Sequence, residues 1–166
     1  SGNIRLAGAT GLGLSHINGD TTPGSSQTVT LESADGYISD LTSAAELANV
    51  VSAGSLTLSA RSIGSNDVAD IDLDVARIAS VTTTLGAAFL ESLPTSGLTV
   101  NTANVAGALN LLVSQGHLQL AGNVSAGSLV LRTTLGNVTQ ASGQTINVSG
   151  TASLSAAGDI RLARLV

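Results

Sequence analysis

Four aspartates, Asp67, Asp70, Asp72 and Asp74, crowd one short stretch of the chain. On a strand side chains alternate with a period of two, so Asp70, Asp72 and Asp74 share one side and Ile71 and Leu73 the other. With the aliphatic pair buried, the three carboxylates face solvent. Hard oxygen donors held this close suit Ca2+, which also relieves their mutual repulsion; the competing reading is a solvated acidic face. An EF-hand is excluded, because Val75 stands where that loop needs Gly and no Glu occupies its twelfth position. The metal candidates are therefore Asp70, Asp72 and Asp74, as a calcium site, and no other cofactor is indicated.

Catalytic arrangements are poorly supplied. Carboxylate chemistry on polysaccharides needs a paired acid and base, and Gly116-His117 and the acidic run invite that comparison. Yet the chain has no adjacent Asp-Asp pair, no Lys and no Trp, and only Tyr37 and Phe89 as sugar platforms. No Gly-x-Ser-x-Gly elbow accompanies the two candidate bases, His16 and His117. Gly8, Gly11 and Gly13 imitate a phosphate loop but match neither nucleotide spacing. They read as turn and coil glycines. Three sequons, at Asn123, Asn137 and Asn147, are glycosylation candidates; the alternative is that Asn marks corners, where its side chain tolerates left-handed turns. The expectation is a chain that is not an enzyme.

These residues must be positioned by an unusual core. Of 166 residues 43% are apolar but only 1% aromatic, and 10% are charged, for a net charge of −5. A mean hydropathy of +0.38 argues against disorder. Leu, Ala, Val and Ile must then pack without the bulky rings that supply much burial elsewhere. Six Arg, no Lys and almost no aromatic side chains exclude nucleic acid as a main partner. Ser92 to Leu131 carries no formal charge, but Ser, Thr, Asn and Gly interrupt it, so no membrane insertion is expected. The absence of Cys suits a secreted chain.

Short alternating runs recur throughout, among them Leu56-Leu58, Leu98-Val100, Leu109-Leu111, Leu118-Leu120 and Leu129-Leu131, and each reads as a strand with one buried face. From Gly86 onward a Gly falls about every ten residues, too close for intervening helices. Ala53-Gly-Ser-Leu-Thr-Leu58 resembles Ala126-Gly-Ser-Leu-Val-Leu131, and Gly2-Asn-Ile-Arg-Leu-Ala7 resembles Gly158-Asp-Ile-Arg-Leu-Ala163. Such copies read as rungs of an all-β, parallel β-helix (β-solenoid) of roughly 20–25 residues per rung and about 7–8 rungs. Stacked rungs put Leu over Leu, which small aliphatics can fill. Residues 1–166 thus read as a single solenoid segment, an excerpt of a longer repeat array. Residues 18–27 leave it as a polar loop, and Ser43-Ala-Ala-Glu46 fits a capping box that could start one helical turn.

The stretch Ser62-Ile-Gly-Ser-Asn-Asp-Val-Ala-Asp-Ile-Asp-Leu-Asp-Val-Ala-Arg77, with Phe89-Leu-Glu-Ser, Gly97-Leu-Thr-Val100 and the Gly158-Asp-Ile-Arg-Leu ending, resembles the repeat shafts of large bacterial exoproteins of the filamentous-haemagglutinin type. The resemblance implies a right-handed parallel β-helix, secretion across the outer membrane by a two-partner route, and an extracellular or cell-surface location. It also implies a structural shaft serving adhesion, biofilm or cell-cell contact. No Asn-Pro occurs, so the secretion domain of such proteins is not represented. Expected partners are flanking rungs of the same chain, other rods in lateral association, and cell-surface glycans. The alternative function is a surface-binding module recognising carbohydrate or another rod through one outer face, and the third is a polysaccharide-active β-helix enzyme.

Overall fold

A computed structural model describes residues 2–42, 47–66, 68–94 and 96–166. Among the described residues fifteen strands form one sheet in which every pairing is parallel, wound into a β-solenoid of about seven turns. No described residue is helical; the capping-box segment at 43–46 lies outside the described residues.

The last turns are three-sided. One ladder stacks Ala88–Ser92, 109–113, 129–133 and Ala152–Ala156. The second stacks Leu98–Val100, Leu118–Leu120, Val138–Gln140 and Ile160–Arg161. A third stacks 103–105, 124–126 and Ile146–Val148. Toward the N-terminus the sides merge into longer strands, Ile71–Thr83 on Val50–Ile63 on Thr28–Asp40, with Ile4–Gly8 and Gly11–Leu14 beyond. The offset between stacked residues is 20 at Leu98↔Leu118, 22 at Val81↔Ala103 and 27 at Val29↔Leu56.

Period-two alternation sends every second side chain inward, and a parallel ladder then lays like on like. Leu90, Leu111, Leu131 and Leu154 form one column, and Leu98, Leu118, Val138 and Ile160 another. All but the outermost member of each are buried. Small aliphatics suffice because the interior is no wider than the side chains meeting from three sides. The aromatic-poor composition follows from that width.

The corners are held by side-chain amides. Asn3, Asn49, Asn123 and Asn137 each accept, through Oδ1, a backbone N–H from the next turn: Thr28 at 3.0 Å, Asp72 at 2.9 Å, Thr145 at 2.8 Å and Asp159 at 2.7 Å. A bend leaves these N–H groups outside the ladder, and Asn supplies the missing acceptor. At Gly54 and Gly122 the coil approaches its neighbour so closely that a Cβ would overlap the carbonyl oxygens of Gln27 and Asn101.

One expectation needs correction. The polar excursion begins at Gly19, since Ile17–Asn18 still pairs with Val50 and Val51; Asp20 closes it by accepting from Thr22 N–H at 3.0 Å and Ser25 Oγ at 3.0 Å. The hexapeptide copies at 53–58 and 126–131 do not share a side. Leu56 lies between Val29 and Ile78, whereas the column of Leu129 runs through Leu109 and Ala88 to Ile63. Every side makes the same demand, a small turn followed by alternating aliphatics, so the pattern recurs from side to side as well as from turn to turn.

Two substitutions test this packing by urea denaturation. Leu118→Ala should cost about 2–5 kcal/mol, the range for a buried Leu whose neighbours collapse only partly. Gly122→Ala should cost more than the roughly 1 kcal/mol typical of a point change, because the obstacle is backbone and cannot rotate away. Equal stability of either variant and wild type would contradict the stacking described.

Candidate functional site

The strand carrying the aspartates runs between residues 50–60 on one side and Ala88–Ser92 on the other. Ile71 and Leu73 point inward and are fully buried, as alternation requires. Asp70 and Asp72 nevertheless are 5% and 3% exposed. The expected solvent-facing trio is therefore broken up. Register explains the difference: Asp72 lies beside Glu91 of the next turn, while on its other flank the corner residue Asn49 exchanges backbone and side-chain bonds with it. Asp74, two residues on, is exposed and faces a different hollow. Asp67 lies outside the described residues.

The carboxylates brought together are those of Asp70, Asp72 and Glu91, with one oxygen from each within 4.8 Å of the others. Glu91 replaces Asp74 in the expected set. It is half-buried and accepts a hydrogen bond from Ser114 Oγ of the following turn. Three such groups offer the hard oxygen donors that Ca2+ prefers, and without a cation their repulsion is felt strongly where water is excluded. Spacing along the chain could not reveal Glu91. It meets Asp72 through register between turns: Ile63 pairs with Ala88, and Ile71, eight residues on, pairs with Leu90.

The remaining candidates hold the coil together. His16 Nδ1 donates to the Ala48 carbonyl at 2.9 Å, and His117 Nδ1 accepts the Asn137 N–H at 3.0 Å. Gly8 ends the first strand, and Gly11 and Gly13 lie within the second. Of the sequon residues, Asn123 and Asn137 commit Oδ1 to the next turn, while Asn147 is exposed on the outer side of the third ladder. Tyr37 is exposed and Phe89 half-buried. Arg5 and Arg161 both point outward and pair with Glu32 and with Asp159 respectively.

A second feature was not foreseen. Three adjoining hollows of about 570, 490 and 320 Å3 lie along one side and share Ala76. The loop at 19–27 and the residues Pro94, Ser96 and Gly97 overhang them. Along their floor an axial row of polar side chains, Ser55, Arg77, Thr99 and Gln119, continues to Thr139 and Arg161, one residue per turn. Among the described residues the ion pairs are Arg5–Glu32 and Arg161–Asp159, so Arg77 keeps its guanidinium for other partners.

Glu91→Gln tests the acidic cluster, because it removes one charge and leaves an acceptor for Ser114. In chelator the variant should melt above wild type, at roughly 2–4 °C per kcal/mol relieved. A rise in wild-type melting temperature with Ca2+ that the variant lacks would show cation uptake; no response in either protein would assign the cluster a structural role.

A family model described as repeats of unknown function (DUF5649) matches residues 106–164, the stretch that holds the most regular three-sided turns. No curated protein and no solved structure matches the chain. The chain is a parallel β-solenoid repeat protein.

Proposed function

We propose that the chain is a structural shaft segment of an extracellular bacterial fibre or adhesin, supporting adhesion, biofilm or cell-cell contact. The observation that carries this reading is the unbroken stacking of core columns from turn to turn: Leu90, Leu111, Leu131 and Leu154 in one, Leu98, Leu118, Val138 and Ile160 in another. A coil stacked in this way gains length turn by turn without changing its cross-section, which is what a shaft requires. In exoproteins of the resembled type such shafts stand outside the cell, and their work is reach and rigidity. In this reading the segment carries no reaction of its own.

A second reading, a module that recognises carbohydrate through one outer face, is favoured by the overhung hollows and the axial row through Arg77. The turn spacing of about 4.8 Å is close to the length that one pyranose adds to an extended glycan. Hydroxyl, amide and guanidinium groups would then meet successive sugars.

Electron microscopy of the native protein separates these readings. Rods of constant narrow width are expected, and compact particles would overturn the shaft. For the glycan reading, titration with a galacturonate hexamer and a neutral glucose hexamer, followed by NMR, should shift the amides of Arg77, Thr99 and Gln119. Arg77→Gln should weaken the uronate several-fold and the neutral sugar less. Absence of shifts with both would remove the glycan.

A further inference from the structure

The outer side of the first ladder presents two columns of side chains. One holds Glu91, Leu112 and Arg132 in consecutive turns, and the other Phe89, Asn110 and Val130. The first column therefore reads acid, aliphatic, base along the solenoid axis. Its neighbour reads aromatic, amide, aliphatic. Arg132 is exposed and belongs to neither ion pair found among the described residues. Val130 is 40% exposed, and Phe89 and Leu112 are half-buried. A hollow of about 150 Å3 lies between Asn110, Leu112, Val130 and Arg132.

We infer that this side is a self-complementary interface on which a second copy of the chain packs antiparallel. The occupant follows from symmetry. A two-fold axis along strand 109–113, lying between two such faces, reverses the order of turns and leaves each column opposite itself. Glu91 then meets the partner's Arg132, and Arg132 the partner's Glu91. Leu112 meets the partner's Leu112, and Asn110 the partner's Asn110. Phe89 falls opposite the partner's Val130, at the mouth of the hollow beside it. Every charge finds its opposite and every apolar group an apolar neighbour. The parallel arrangement, with the two-fold along the solenoid axis, exchanges the two columns: Glu91 then faces the partner's Phe89 and Arg132 the partner's Val130, while like charges share a turn level, so no charge meets its opposite and the arrangement is disfavoured. Antiparallel packing also gives the acidic end of the column, where Glu91 adjoins Asp70 and Asp72, a guanidinium as counter-charge.

The contact is small. Five-residue strands over three or four turns cover far less than the roughly 800 Å2 per partner of a standard complex. The expected association is weak and dependent on concentration, and repetition along a longer array strengthens it through effective concentration.

Sedimentation equilibrium of this chain up to about millimolar concentration reads the effect directly. Wild type should show a rising apparent mass. Glu91→Arg alone and Arg132→Glu alone should each weaken self-association by roughly tenfold or more, since each places like charges together twice per dimer. An equimolar mixture of the two variants should associate again, because every facing pair in the mixed dimer is opposite in charge. Leu112→Asp should abolish association while leaving Glu91 and Arg132 in place, and far-UV circular dichroism confirms that each variant is folded. The chain has no cysteine, so single cysteines report the geometry: Asn110→Cys should cross-link with a short bis-maleimide, and Ser153→Cys should not. A monomeric wild type at the highest concentration, a mixture that associates no better than its components, or equal cross-linking at both positions would overturn the inference.

Discussion

Everything in this molecule depends on the continuity of the parallel hydrogen-bond ladder around an interior three side chains wide. Each strand satisfies its backbone groups only through the turns above and below it, and those turns fix its register to the residue. Register in turn decides which side chains stack. Because successive inward positions are Leu over Leu or Leu over Val, the interior fills with groups that would leave cavities in a wider domain. An unbroken ladder and a core poor in aromatics are therefore one constraint seen twice. It also explains where glycine is required: at Gly54 and Gly122 one turn rests on the carbonyl of its neighbour, and no side chain fits.

The corners carry the complementary constraint. A solenoid must bend sharply three times per turn, and every bend removes backbone groups from the ladder. Asn3, Asn49, Asn123 and Asn137 restore an acceptor at the point of loss, and His117 does so at Asn137 N–H. Polar residues that look chemical in a linear reading are thus consumed by the architecture. The same holds for Asp20, which closes its loop on Thr22 and Ser25. What the architecture leaves over is small and local: the buried carboxylate group at Asp70, Asp72 and Glu91, the row through Arg77, and the column ending in Arg132.

Fold class was legible from residues alone because alternation with a short Gly-marked spacing permits little besides stacked parallel turns. Register was not. Ala53 to Leu58 and Ala126 to Leu131 are near copies, yet one contributes to the column of Ile78 and the other to that of Ile63. A local motif specifies a turn and a strand, and says nothing of which side the strand occupies; that depends on the summed length of all intervening loops. The same limit governs the acidic site. Asp70 and Asp72 were identifiable from their run of alternate carboxylates, but the same alternation grouped Asp74 with them, and the structure sets Asp74 in a different hollow. Glu91 was not identifiable, because its place beside Asp72 is a product of register between turns.

Side chains that face outward on a solenoid are ordered like those inside, and this is the property that gives such a surface its capacity for recognition. A turn spacing of about 4.8 Å converts a list of residues roughly twenty apart in the chain into a line of groups at nearly constant intervals. Glu91, Leu112 and Arg132 are scattered in the chain but adjacent on that line. A partner that repeats at the same interval, whether a glycan or another solenoid, can match several groups at once without any deep pocket. Weak contacts then add along the axis, and specificity resides in the order of residues within a column. Substituting one member changes the order at one point only, and loops absorb differences in turn length, since offsets of 20, 22 and 27 residues all leave the ladders in register. The information a partner reads therefore resides in the outward side chains and not in the lengths of the loops between them.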